Sequence, residues 1–189
     1  MTRIGQRSCA SPCFCLLPDR TPQAATAAFR DRLQLAISCI TTSVFQLEGY
    51  RQVDRVLAAT LNRGDPVPLR VSTGLLCGIR LHYRVLRTDA QLWKAVVAAY
   101  FFELMDQAET EILAYHWHPE GRSPVTQPHL HLGPGLGQLT RISARAHLPT
   151  GPIAIEDFIG LCIVEFGASP RRADWETVLR QTRNDQENY

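Results

Sequence analysis

From Leu75 to Leu86 the chain alternates, with Leu75, Cys77, Ile79, Leu81, Tyr83 and Val85 on one side and Leu76, Gly78, Arg80, His82, Arg84 and Leu86 on the other. Period-two alternation with one mostly polar face marks a half-buried antiparallel strand. Short connections follow it, too short for parallel crossovers, so the segments after Val67 are expected to run as a meander. Thr88-Asp89-Ala90 turns into a more apolar strand, Trp93–Met105, whose Ala-rich middle is also compatible with a helix, and Asp106-Gln107-Ala108-Glu109 turns into a third, Thr110–His118. The loop Pro119–Pro128 leads to a short strand, His129–Leu132. The glycine-rich turn Gly133-Pro134-Gly135-Leu136-Gly137 then feeds a last strand, Leu139–Leu148. About five strands are expected over residues 67–148.

Helices are expected on both sides of this sheet. Thr21-Pro22 offers an N-cap and a proline at the first helical position, and Ala25, Ala28, Phe29, Ala36 and Ile37 keep helical spacing to about Cys39. Val53, Val56, Leu57 and Leu61 predict a second helix over Ser43–Asn62, ended by Asn62-Arg63-Gly64-Asp65-Pro66, which makes residues 21–64 a helical hairpin. After the sheet, Ile155, Phe158, Ile159, Cys162, Ile163 and Phe166 form one helical face. Glu156 and Asp157 sit at its start, and Gly167 stands at its stop. A final amphipathic helix after Ser169-Pro170 turns Trp175, Val178 and Leu179 inward. The expectation is a single α+β domain over 21–183, with its helices at 153–183 packed on the sheet, a flexible tail over 1–20 and a frayed one over 184–189.

Charge and compartment narrow the function classes. Twenty Lys+Arg against eighteen Asp+Glu in 189 residues leave a formal charge of +2, so no global field draws in nucleic acid or anionic lipid. Ala95–Phe102 is the longest apolar run, far below the roughly 20 residues of a bilayer span. No membrane association is expected. The start, with Arg3 and Arg7 before Cys9, Cys13, Phe14, Cys15, Leu16 and Leu17, is broken by Pro12 and Pro18 and lacks a long signal-peptide core. A cytoplasmic protein is expected. Cys39, Cys77 and Cys162 lie in apolar patterns as free thiols, and the C-x3-C-x-C spacing of Cys9, Cys13 and Cys15 matches no common zinc pattern.

Five of the six histidines fall between His116 and His147. Residues two apart in a strand share a face, so His116 and His118 stand together, and His129 and His131 stand together on the next strand, with His147 at the end of the following one. Cross-strand Cβ atoms are about 4.5–5.5 Å apart, close enough for the imidazoles to converge. Two chemistries suit such a patch. A pair of imidazoles can act as base and acid in cleaving a phosphodiester with no cofactor. Alternatively three neutral imidazoles can hold a divalent metal such as Zn with a position open to water, and Glu103, Glu111 or Glu120 can add a ligand or base. Arg122, Arg141 and Arg145 are the cations placed by sequence to hold a phosphate, together with His147. Thr150 is placed to bond a ligand near the long helix. The plain alternative is that the histidines are solvated strand positions of a non-enzymatic interaction protein.

The order of Tyr115-His116-Trp117-His118-Pro119-Glu120-Gly121, then Pro128-His129-Leu130-His131, then a strand and the amphipathic helix over 153–166 resembles the TumE family of toxin-antitoxin toxins. The likeness runs over roughly residues 81–166. It implies a small sheet with a closing helix and a cell-toxic protein acting on RNA, with an antitoxin as partner and His129 and His131 as the site residues that carry over. The run Pro128-His129-Leu130-His131-Leu132 is also similar to the histidine-triad hydrolases, which implies a nucleotide phosphohydrolase. The leading expectation is a ribonuclease-like toxin with His129 and His131 central and His116 and His118 supporting; a homodimer is the other assembly left open.

Overall fold

The computed structural model describes residues 19–49, 52–120, 124–139 and 147–184. Helix α1 (Pro22–Ile37) starts as its sequence predicts: the Thr21 hydroxyl accepts the Ala24 N–H at 3.1 Å, and Pro22 fills the first turn, where an N–H would go unbonded in any case.

Among the described residues, no second α-helix lies over 43–62. Residues 43–62 instead form β1 (Phe45–Leu47) and β2 (Leu57–Leu61), paired antiparallel with Phe45 opposite Leu61. The helical stripe of Val53, Val56, Leu57 and Leu61 is a coincidence of spacing. Leu57, Ala59 and Leu61 also alternate, and these three are buried while Val56 is 45% exposed. Asn62 and Arg63 then take left-handed φ values of 48° and 59°, which turns the chain out of β2 rather than along a helix axis. The N-terminal hairpin is therefore one helix and two strands.

The chain continues through β3 (Val67–Pro68), β4 (Leu76–Arg87), β5 (Trp93–Met105), β6 (Glu111–Trp117), β7 (His129–Leu132) and β8 (Leu148–Pro149). All pairings are antiparallel, in the order β1-β2-β4-β5-β6-β7-β8, with β3 also on β4. Among the described residues the sheet thus has eight strands, not about five, because β1 and β2 come from the segment expected to be helical and β3 and β8 have only two residues each. The expected strand Leu139–Leu148 falls largely on 140–146, outside the described residues; its flanks are a 3-10 helix, Pro134–Leu139, and β8. The glycine-rich turn packs directly on β6, since a Cβ at Gly133 would lie 2.0 Å from the Glu111 carbonyl oxygen. The tails at 1–18 and 185–189, with Cys9, Cys13 and Cys15, also lie outside the described residues.

Helices α2 (Ile155–Val164) and α3 (Trp175–Asn184) join α1 on one face of the sheet. Ile155, Phe158, Ile159 and Cys162 are buried as their spacing predicts, and the Phe158 ring stacks on Phe102 of β5 at 5.6 Å. From α1, Phe29 meets Tyr83 of β4 at 5.0 Å. Beneath the helices, Arg32 and Glu156 form a buried pair 3.9 Å apart. Cys39, Cys77 and Cys162 are free and buried, and burial pushes the Cys39 and Cys77 thiols up to about 11 and about 12, far from nucleophilic use. Among the described residues, no helix is long and apolar enough to cross a membrane.

Tyr83 gives the core a test. Its ring is fully buried, and its hydroxyl donates to the Glu48 carbonyl at 2.8 Å, tying β4 to the end of β1. Tyr83→Phe is expected to cost about 1 kcal/mol, because the carbonyl loses its donor while the ring stays packed. Equilibrium unfolding in urea measures it, and an unchanged midpoint would count against this contact.

Candidate metal centre

The helices cover the face that carries Tyr83, Tyr100 and Phe102, which leaves the other face of the sheet to the alternate residues. Antiparallel register sets the rows there. His116 of β6 lies opposite Phe101 of β5 and His129 of β7, while Ala114 lies opposite Glu103 and His131. His118 follows just beyond β6. His147 precedes β8, which pairs with β7 through Leu130 and Leu148. Trp117 and Tyr115, between the histidines, pack toward the core.

The five rings converge. Ring centroids are 5.8 Å apart for His116 and His129, 4.7 Å for His116 and His131, and 4.9 Å for His129 and His131. His147 stands 5.0 Å from His129 and 4.6 Å from His131, and His118 stands 5.4 Å from His129. One ligand nitrogen from each of His116, His129 and His131 can be chosen so that all three lie within 4.8 Å of one another. The sixth histidine, His82, stays outside on β4, with its ring 5.7 Å from Phe101.

Burial sets their chemistry. His129 is only 1% exposed. Its Nδ1 lies 2.7 Å from the Gln127 carbonyl oxygen. A carbonyl only accepts, so Nδ1 carries a proton, and Nε2 is the nitrogen left to present a lone pair. That Nε2 is buried with no hydrogen-bond partner, and so is Nε2 of His116. Burial, followed by the neighbouring His131, His129, His118 and His147 rings, pushes His116 down to about 4. His131 is lowered for the same kinds of reason, burial first. Near neutral pH these two rings are therefore uncharged.

The supporting residues are unequal. Glu103 and Glu111 reach His116, with one donor atom from each of the three within 4.8 Å of the others. Burial, then the neighbouring Glu103, raises the Glu111 carboxyl. Glu120 is taken up by Arg84 at 2.5 Å. Arg122, Arg141 and Arg145 lie outside the described residues. The Thr150 hydroxyl is buried without a partner, and the Thr150 N–H donates to the Pro128 carbonyl at 2.9 Å, fastening the exit from β8 beside His129.

Comparison with protein families, curated proteins and solved structures finds no match for this chain.

Three contributors escape a reading of the sequence. The Gln127 carbonyl fixes the His129 tautomer, and a backbone atom leaves no sequence signal. Phe101 walls the cluster, its ring 5.3 Å from His116 and stacked 5.9 Å from His118; β4–β5 alternation could have placed it on this face. Arg80 lies over Phe101 at 5.7 Å. On the helix side of the sheet, an apolar cavity of about 450 Å³ is bordered by Tyr100, Trp117, Pro128, Ile153, Asp157 and Arg183; Arg183 there is paired with Asp157.

Proposed function

We propose that the protein is a metal-dependent hydrolase whose divalent ion, zinc by donor type, is held by His116, His129 and His131. The observation that carries this reading is His129, buried, fixed as the Nδ1–H tautomer by a backbone carbonyl, and left with an unpartnered Nε2 in the midst of other imidazoles. An unsatisfied buried polar atom costs about 1–3 kcal/mol, so it calls for an explanation, and a metal ion supplies one. Metal-binding histidines characteristically donate their other ring N–H to a carbonyl or carboxylate, as His129 does. Imidazole donors favour zinc among the common ions, alongside copper, iron and nickel, and three-histidine sites keep a position for water.

The metal-free acid/base alternative fits less well. It needs one imidazole protonated beside a neutral one, and burial and mutual repulsion lower both His116 and His131, which disfavours either of these two as the acid. A bound divalent ion would lower the pKa of a water toward 7 and polarise an ester or phosphoryl oxygen. The chain's own part is to orient that ion through three rings, to shield it with Phe101 and to offer His147, the exposed ring of the cluster, as a proton acceptor at the rim. RNA is the substrate to try first, as the resemblance to TumE toxins implies, with an antitoxin as partner.

Elemental analysis of untagged protein is expected to find about one zinc per chain, removable by a strong chelator, with a fall in unfolding temperature on removal because the ion binds only the folded state. Protein free of zinc, copper, iron and nickel, even after reloading, would sink the reading. Expression of wild type beside a His129→Ala, His131→Ala double variant, following growth and RNA integrity, then tests the substrate: equal growth with intact RNA in both removes RNA from consideration.

A further inference from the structure

The described ion pairs leave out Glu103 and Glu111. Yet both carboxylates face the histidine centre, and a fault in the sheet brings one of them there. In β5–β6 pairing, Leu104 lies opposite Leu113 and Met105 opposite Glu111, so β6 carries one extra residue, Ile112. Without that bulge, Glu111 would share the Leu113 side under the helices. With it, Glu111 stands opposite Met105 on the open face, two residues along from Glu103. Bulges that re-aim a side chain are over-represented beside active sites.

Two further contacts shape this corner. Gly78 of β4 lies opposite Glu103, and a Cβ there would come within 3.0 Å of the Glu103 Oε2, so the missing side chain leaves the carboxylate its place over the sheet. The Gly133 turn presses on the Glu111 backbone from the other side. Donor atoms of Glu103, Glu111 and His116 lie within 4.8 Å of one another, and His116 Nε2 is buried and unpartnered. His116 borders both donor sets; a neutral imidazole presents one lone pair, so its Nε2 goes to the imidazole set and the neighbouring ion rests on the two carboxylates.

We propose that the centre takes two different divalent cations: zinc on His116, His129 and His131, and a harder ion, Mn2+ or Mg2+, on Glu103 and Glu111 beside His116. This rests on the zinc reading above and deepens it. Carboxylate oxygens select Mg2+ and Mn2+ where imidazoles select zinc. Two adjoining cations can hold the attacking and leaving oxygens of one in-line displacement, an arrangement suited to cleavage of a phosphoester.

The test separates the two sites by metal. Zinc-loaded wild type is titrated with Mn2+, with free Mn2+ read by its electron paramagnetic resonance signal and zinc by elemental analysis. About one Mn2+ per chain is expected to bind, and a Glu103→Gln, Glu111→Gln double variant is expected to bind it about tenfold or more weakly while keeping its zinc. Glutamine preserves shape on this face, and an unchanged thermal unfolding profile checks the fold. One zinc with no Mn2+ bound at millimolar concentration overturns the second site alone, as does Mn2+ binding that the double variant leaves intact. Protein that takes no zinc overturns the histidine centre, and the two-cation proposal with it.

Discussion

Replacing His129 with alanine is expected to weaken zinc binding on the order of 10²-fold and to remove hydrolytic activity with it. Structural zinc sites gather roughly 10–16 kcal/mol of apparent affinity from four ligands, so each ligand carries about 3 kcal/mol. His129 has more to lose than an average ligand, because its ring is already fixed by the Gln127 carbonyl and nothing need be ordered on binding. Its burial raises the concern that the variant simply unfolds. His131→Ala answers that concern, since His131 is only half-buried and its removal opens no core cavity; it is expected to lose zinc to a similar degree with stability nearly unchanged in the metal-free state. Competition against a chromophoric chelator measures both variants. Wild-type affinity in His131→Ala would exclude it from the ligand set, and wild-type affinity in both would end the three-histidine assignment.

The second large effect is on acid stability of the metal-free protein. In the folded state His116 sits at about 4, against 6.5 for a free imidazole. Between those values the unfolded chain binds more protons, so stability rises with pH across that window, is complete above about 6.5 and is lost as pH falls toward 4. At about 1.4 kcal/mol per unit the shift would be worth up to ~3.5 kcal/mol, and part-exposure of the ring reduces this to about 2. His131, also lowered, adds in the same direction. The groups facing His116 are His118, His129, His131 and His147, with Glu103 and Glu111 on the other side, and its lowering is set by burial first and then the four rings. Glu156, raised by burial, contributes oppositely, favouring acid. The decisive quantity is therefore the difference between wild type and His116→Gln, measured in chelator at pH 7 and 4.5. The variant is expected to lose less stability on acidification, and parallel curves would show that His116 is not held neutral by its surroundings.

Legibility in the sequence followed the physics of each element. Strand β4 could be read from its long alternation and β6 and β7 from shorter alternation between turn residues, β5 was open to a helical reading in its Ala-rich middle, and α2 could be read because Ile155, Phe158, Ile159 and Cys162 repeat over two turns. The segment around β2 misled because Val53, Val56, Leu57 and Leu61 satisfy a helical period while Leu57, Ala59 and Leu61 satisfy a strand period; only the partner strand β4, with Leu81 opposite Ala59, decides between them. Convergence of the histidines was legible from the His-x-His spacing alone. Which ring carries a free lone pair was not, since the Gln127 carbonyl sets it. Nor was the arrival of Glu111, because a one-residue bulge reverses its face without altering composition.

The far edge of the sheet has a further meaning. Strands β7 and β8 contribute four and two residues, so few backbone hydrogen bonds hold β7 to β6 and β8 to β7. The five imidazoles arise from β6, β7 and the entry to β8, so an ion bound among them would lash together the strands that the peptide ladder secures least. Cation occupancy and closure of this margin would then be a single equilibrium, with the rim of the sheet finished by its ligand.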